Sequence, residues 1–351
     1  MNTTTVGVDL AKNRFELAVA DAEYRIERRT RLSRTQFAQF FGNYPASRVV
    51  LEACGSAHHW ARTLQAQGHE VQLLPAQYVR AYVKRNKTDA ADAGALIEAA
   101  RCAEIRPVPV KSVEQQAIQQ LHRLRTQCMG SRTARINWLR GALREFGFSI
   151  PLGARRGISA VRQALAAAEP TLPALLRPGI EDTLAEIAAL EQRCTRIERE
   201  LAGLTHDDAV VHNLLAIPGI GLLSATALAA AIVDIQRFAS GRQLASWLGL
   251  TAREYSSGER RRLGRISKRG DVYLRTLLIH GARAVLNAAT SAARRGRPLD
   301  RLRTWALATQ QRCGYNKATV ALANKLARIV WATWKYQRPF DGNWAARAGH
   351  G

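Results

Sequence analysis

A short apolar run that closes on a carboxylate, Val6-Gly7-Val8-Asp9-Leu10, sets the first constraint on this chain. The valines flanking Gly7 read as a buried strand, and such a strand tolerates an aspartate only where the charge is paired or binds a cation. The pattern recurs. Val49-Val50-Leu51-Glu52 is a second apolar strand ending in an acid, and Lys87-Thr88-Asp89-Ala90-Ala91-Asp92 sets two acids at i and i+3, neighbours on one helix face. Taken alone, Asp9 reads as a turn residue at a strand end. Together, at element ends in a strongly basic chain, they read as a divalent-metal site. Hard oxygen donors suit Mg²⁺ (or Mn²⁺), which keeps waters and takes phosphate oxygens as further ligands.

The elements around these acids come in a definite order. Residues 5–20 read as a strand, a short turn around Lys12-Asn13-Arg14 and a second strand over 15–20, and a third strand is expected over 24–31, where the charges suit an exposed or edge position. A helix capped by Ser33 runs through Phe41 to Gly42. Then come strand 48–52, helix 57–67, strand 70–74 and a helix from about 76. The order β-β-β-α-β-α-β-α describes a mixed sheet covered by helices, the order of α/β ribonuclease-H/RuvC-like folds. In that fold the first strand lies beside the strand after the first helix, which would join Asp9 to Glu52 and let the following helix present Asp89 and Asp92.

From about residue 111 the pattern turns helical. Leu121, Leu124, Cys128, Arg135, Leu139 and Leu143 form an imperfect stripe interrupted at Gly130, and a Pro/Gly/Arg-rich section, 146–157, breaks it. A cleaner stripe follows, Ile180, Leu184, Ile187, Leu190, Cys194, Ile197, Leu201 and Leu204, spaced alternately three and four. It suits a coiled coil or a bundle helix within the domain. The expected domains are 1–110 (metal-binding), 111–207 (helical), 208–342 (mainly α, C-terminal) and a tail, 343–351.

Charge narrows the partners. The chain of 351 residues carries 52 Lys+Arg against 28 Asp+Glu, a formal +24. Such an excess opposes compaction unless a polyanion neutralises it, so nucleic acid leads. No apolar run approaches the roughly 20 residues of a spanning helix, which excludes an integral membrane reading. Met1-Asn2-Thr3-Thr4 has no signal-peptide layout, and five scattered cysteines without a CxxC pair fit a reducing, cytoplasmic setting.

Two later stretches carry chemistry. Pro218-Gly219-Ile220-Gly221, inside a helix-hairpin-helix-like pattern, offers turn amides and a helix N-terminus at Gly219 and Gly221 that can hold a phosphate, or is only a turn between packed helices. Residues 253–275 hold eight bases, Arg253, Arg260, Arg261, Arg262, Arg265, Lys268, Arg269 and Arg275, against three acids. Ser256-Ser257-Gly258 sets two hydroxyls on what reads as a flexible loop, where a serine either attacks a phosphate clamped by arginines or only donates hydrogen bonds to it. Helices are expected over 272–289 and 316–336, with Trp331, Trp334 and Tyr336 as core or interface anchors.

The motifs now combine. G-V-D-L-A-K, L-E-A-C-G-S and N-K-T-D-A-A-D resemble the three acidic motifs of DEDD-type insertion-sequence transposases. I-P-G-I-G, Y-S-S-G-E-R-R-R-L-G-R-I-S-K-R-G-D and N-K-A-T-V-A-L-A-N-K-L-A-R resemble that family's C-terminal domain. The resemblance implies a RuvC-like metal domain, with Asp9, Glu52, Asp89 and Asp92 as the metal tetrad. It also implies a nucleophilic serine, aligned with Ser257 rather than Ser256. It further implies cutting and rejoining of donor and target DNA through a phosphoserine, guidance by a structured bridge RNA, and a dimer-to-tetramer built through the helical middle. Competing readings are a RuvC-like structure-selective nuclease using metal-activated water, and a non-catalytic nucleic-acid scaffold. Sugar and acetate kinases also use a G-x-D strand, but they lack this basic excess, and no adenosine-binding glycine motif is present here.

Overall fold

In the computed structural model of the chain, the residues described are 4–83, 89–167 and 172–342, with Asp89 and Ala90 described by backbone alone. Lys87, Thr88 and the 343–351 tail lie outside them. The chain divides into two compact units, 1–114 and 115–351.

In the first unit, β1 (Thr5–Leu10), β2 (Arg14–Ala20), β3 (Ile26–Ser33), β4 (Arg48–Glu52) and β5 (Glu70–Leu74) form one sheet in the order β3-β2-β1-β4-β5. β1–β2 and β2–β3 are antiparallel, whereas β1–β4 and β4–β5 are parallel. Side chains alternate across the sheet. Val6, Val8, Phe15, Leu17, Val49 and Leu51 bury one face against α1 (Arg34–Gly42) and α2 (Ala57–Ala66). There Phe15 meets Phe37 and Trp60 edge to face, with centroids 4.7 and 5.3 Å apart. Ser33 starts α1 through a capping box with Gln36.

The other face is lined by small or β-branched residues, among them Ala18, Ala20 and Val50. After the short α3 (Ala76–Val79), α4 (Asp89–Ala100) lies over this face. A side chain at Gly7 would run into the carbonyl oxygen of Ala93 and come within 2.8 Å of Ile97 Cγ1. The missing Cβ therefore lets the α4 backbone rest directly on β1.

The second unit starts with an antiparallel pair, α5 (Val113–Arg144) and α7 (Arg177–Leu204), with α6 (Ala154–Ala166) between them in sequence. Arg125–Glu198 and Arg132–Glu191, both bonded at 2.7 Å, step seven residues along the two helices in opposite directions. Ile136, Leu139 and Leu143 meet Ile180, Leu184 and Ile187, so α5 of the same chain covers the first half of the α7 stripe, while Leu204 at its end is exposed. Gly130 does not interrupt α5; it sits on an exposed part of the helix with open space beside it. The break is confined to 145–153, after which α6 forms, a helix the Arg-rich sequence concealed.

The remaining elements are α8 (Ala209–Leu215), α9 (Leu222–Ile232), α10 (Gly241–Trp247), the hairpin β6 (Ala252–Glu254) and β7 (Leu263–Ile266), α11 (Val272–Arg294), α12 (Arg301–Cys313) and α13 (Tyr315–Tyr336). Leu214, Leu228, Leu244, Leu278, Leu322 and Leu326 belong to their shared core. Trp331 and Trp334 pack against it, and Trp331 Nε1 donates to the Phe238 carbonyl at 3.0 Å. Tyr336 is exposed, its ring edge-on to Trp331.

A buried histidine ties three helices together. Thr226 Oγ1 donates to the Leu222 carbonyl, so it accepts from His122 Nε2 at 2.9 Å. His122 Nδ1 then accepts from the Tyr273 hydroxyl at 2.9 Å. Burial, with Arg125 nearby, pushes the imidazole pKa from 6.5 down to about 4.

Two outcomes follow from these contacts. Gly7→Ala should cost about 1–3 kcal/mol, because the added methyl pushes α4 off the sheet, and a denaturant titration should show the lowered midpoint. Below pH 6.5 the unfolded chain takes up a proton that folded His122 refuses, so stability falls as pH drops from 6.5 towards about 4. Melting temperature measured across that window should fall less steeply in His122→Gln; equal slopes would remove His122 from the effect.

Candidate active site

The parallel register Gly7↔Val50 and Val8↔Leu51 makes Asp9 and Glu52 the next facing pair, at the C-terminal ends of adjacent strands. Asp9 shares the Gly7 side and Glu52 the Val50 side, so both belong to the face that carries α4. The Cys54 thiol is pushed up by burial first and then by the charges of Glu52 and Asp9. Asp92 precedes Ala93, the residue seated on Gly7, and its Oδ1 is buried with no hydrogen-bond partner among the described residues. Asp89 begins α4 one turn earlier, and its side chain lies outside the described residues. Across β1, Glu16 faces Asp9 in register and pairs with Arg31 of β3.

Among the described residues no group of three His, Cys, Asp or Glu side chains is closed enough to hold a metal alone. The donors present nevertheless fit a hard divalent cation. They are carboxylate oxygens at two strand ends, and the orphaned Asp92 oxygen is a polar atom whose burial is unfavourable without a partner.

In the second unit the basic segment forms a hairpin rather than the flexible loop expected. Ser257 and Arg260 exchange backbone bonds of 3.3 and 3.2 Å around Gly258-Glu259. Gly258 has φ +54°, as a two-residue turn of type II′ requires at its first central position. The two serines are not equivalent. Ser256 Oγ donates to Glu254 Oε1 at 2.8 Å and accepts the Arg262 N–H at 3.2 Å, which staples one strand of the hairpin to the other. The exposed Ser257 hydroxyl has no hydrogen-bond partner among the described residues.

Arg260, Arg261, Arg262, Arg265, Lys268 and Arg269 are all exposed on or beside this arm, and Arg261 lies 3.6 Å from Glu254. Arg275 is not part of that surface. Only 7% exposed, it donates to backbone carbonyls, which removes it from the eight bases available to phosphate. Gly219, at φ +85°, is used for packing, since a Cβ there would lie 2.7 Å from the Gly281 carbonyl oxygen on α11. Gly221 caps α9 and faces open space, which leaves that helix N-terminus accessible.

Comparison with known proteins bears on these geometries. A transposase family profile matches residues 6–148, and the profile of the IS116/IS110/IS902 transposase family matches 211–296. A Pseudomonas aeruginosa protein named as a family 20 transposase is 45% identical over 333 residues, covering 95% of this chain and 97% of that one. The chain belongs to the IS110 family of transposases. The Coxiella burnetii transposase of insertion sequence IS1111A is 38% identical, over 93% of this chain and 88% of its own. That of IS1328 from Yersinia enterocolitica is 36% identical, over 94% and 96%. This transposase is thus an enzyme that cuts and rejoins DNA, and among its described residues no helix is long and apolar enough to cross a membrane.

If the carboxylate face binds a divalent cation, Mn²⁺ titrated into the full-length transposase and followed by its free-ion paramagnetic resonance signal should be taken up. Asp9→Asn and Glu52→Gln should each weaken uptake at least about tenfold, since each removes one charged donor. Undiminished uptake in either variant would remove that residue from the ligand set.

Proposed function

We propose that this transposase is a site-specific recombinase of its insertion sequence. In this reading a structured bridge RNA guides it, and it cuts and rejoins donor and target DNA through a phosphoserine intermediate with Mg²⁺ (or Mn²⁺). The observation that carries the covalent reading is the contrast between the two serines: Ser256 is engaged on both sides, while the hydroxyl of Ser257 stands exposed beside the turn, unpartnered among the described residues. The sheet order β3-β2-β1-β4-β5, with acids closing β1 and β4, supports a ribonuclease-H/RuvC-like assignment for the first unit.

Asp9, Glu52, Asp89 and Asp92 would hold the cation. When bound, a divalent ion supplies Lewis-acid polarisation of the scissile phosphate and offsets its developing charge. The chain's own residues do the rest. Arg260, Arg261, Arg262, Arg265, Lys268 and Arg269 grip phosphates around the hairpin, and the amide end of α9 at Gly221, shaped by Gly219, offers a further phosphate contact. Ser257 Oγ bonds to phosphorus as one P–O bond to sugar breaks; the serine gives up its proton and the departing sugar oxygen gains one. Attack by a second sugar hydroxyl then expels Ser257 and reseals the strand, so the bond energy is conserved.

The distribution of charge supports the polyanionic partners. Residues 1–114 hold 16 Lys/Arg and 12 Asp/Glu, so +20 of the +24 falls in residues 115–351. Action in the cytoplasm as a dimer to tetramer completes the reading.

The test is denaturing electrophoresis after incubation with end-labelled DNA, guide RNA and Mg²⁺. Wild type should carry label on the polypeptide. Ser257→Ala should lose both adduct and product. Ser256→Ala gives up two hydrogen bonds worth about 0.5–1.5 kcal/mol each and should keep measurable activity, within about a hundredfold of the wild-type rate. Efficient cutting by the wild type with no adduct would instead favour metal-activated water.

A further inference from the structure

The arm that carries Ser257 has no core of its own. Residues 252–265 are exposed throughout, so nothing on the arm fixes where its tip points. Its aim is set at the root, where the chain leaves α10 and returns to α11. Ser267 N–H donates to the Thr251 carbonyl at 2.8 Å, and Lys268 N–H to the Gly249 carbonyl at 3.1 Å. The backbone there is tight. Gly249 and Gly270 have φ of +71° and +87°, and Lys268, with a full side chain, is held at +55°. A Cβ on Gly249 would meet the Arg269 carbonyl oxygen, and one on Gly270 that of Trp247. A left-handed lysine costs about 1–3 kcal/mol and persists only where surrounding contacts over-determine it.

Arg275 supplies those contacts. It sits in the first turn of α11, and its Nη1 donates to the Leu248 carbonyl at 3.2 Å and the Arg269 carbonyl at 3.3 Å. One guanidinium nitrogen thus bridges the incoming and outgoing chains of the arm. Everything else about the residue is unfavourable. It is a buried cation whose partners are carbonyls rather than a carboxylate, and it stands at the positive end of a helix dipole. A residue present only to fill core would be apolar, like Leu274 and Leu278 on the same helix. Asn324 of α13 adds a second tie on the incoming side, Nδ2 to the Leu250 carbonyl at 3.1 Å.

We propose that Arg275 is a positioning residue for strand transfer: by clamping both roots of the hairpin it fixes the direction of the arm and so presents Ser257 to the scissile phosphate. This rests on the reading of Ser257 as nucleophile, and the test separates the two. Arg275→Met and Arg275→Lys are compared with Leu278→Ala, a core truncation one turn along α11. Hydrogen exchange in peptides covering 247–251 and 267–271 reports the clamp without any chemistry. Fluorescence anisotropy reports nucleic-acid affinity, and the single-turnover rate of adduct formation at saturating DNA and guide RNA reports presentation of the serine.

Arg275→Met should exchange at least tenfold faster at the root, bind nucleic acid within about twofold of wild type, and form adduct at least tenfold more slowly. Arg275→Lys should recover part of both losses. Leu278→Ala, assayed where it is folded, should leave root exchange and adduct rate near wild type. The inference is overturned if Arg275→Met leaves root exchange unchanged, if the root loosens with no fall in adduct rate, or if Leu278→Ala reproduces the same pattern. A wild type that cuts DNA without forming adduct would overturn the serine reading and, with it, the presentation role of Arg275, leaving the exchange data to judge the clamp alone.

Discussion

The contact between α4 and β1 at Gly7 is the constraint on which the acidic site depends. Because Gly7 has no Cβ, the carbonyl of Ala93 rests on the strand, and Asp92, its neighbour in sequence, sits on the helix that covers the face to which Asp9 and Glu52 belong. Two parallel strands by themselves would give only a pair of carboxylates. In the proposed site the seated helix adds a third, whose Oδ1 is buried without a partner among the described residues. A hard cation held there would relieve that unfavourable desolvation.

The second unit meets a different demand, which is to hold the proposed nucleophile, Ser257, on an exposed hairpin surrounded by cations. The hairpin is stapled internally by Ser256 between Glu254 and the Arg262 amide, and externally by the carbonyl clamp at Arg275. Stiffness matters here because a phosphoryl transfer leaves little covalent work to the protein beyond positioning and charge stabilisation. Along α5 and α7 the paired arginines and glutamates are partly exposed, so each contributes at most about 1 kcal/mol. Their seven-residue steps matter more for register than for stability.

Much of this was legible in the sequence, for reasons that can be named. Apolar runs closing on Asp9 and Glu52 gave strands whose adjacency followed from element order, and Ser33 with Gln36 is a local capping signal that needs no tertiary information. Trp331 and Trp334 read correctly as anchors because their size decides their place. The errors are equally physical. Gly130 lies on an exposed part of α5, where a glycine weakens a helix by about 1 kcal/mol without ending it. α6 stayed hidden because its arginines masked a sparse apolar stripe at Ile158, Val161 and Leu165. Arg275 falls among the phosphate-facing bases in the sequence because composition does not distinguish a solvated guanidinium from one turned inward onto carbonyls. The sequence reads as a loop at the hairpin because its strands are only three and four residues long, too short to show an apolar alternation.

The most direct measurement of the central claim is chemical mapping of the covalent linkage. Wild-type transposase would be trapped with target DNA, guide RNA and Mg²⁺, digested with nuclease and protease, and the peptides sequenced by tandem mass spectrometry. A nucleotide remnant on Ser257 is the result predicted. A remnant on Ser256 or any other residue, or none while the DNA is cut, would contradict it.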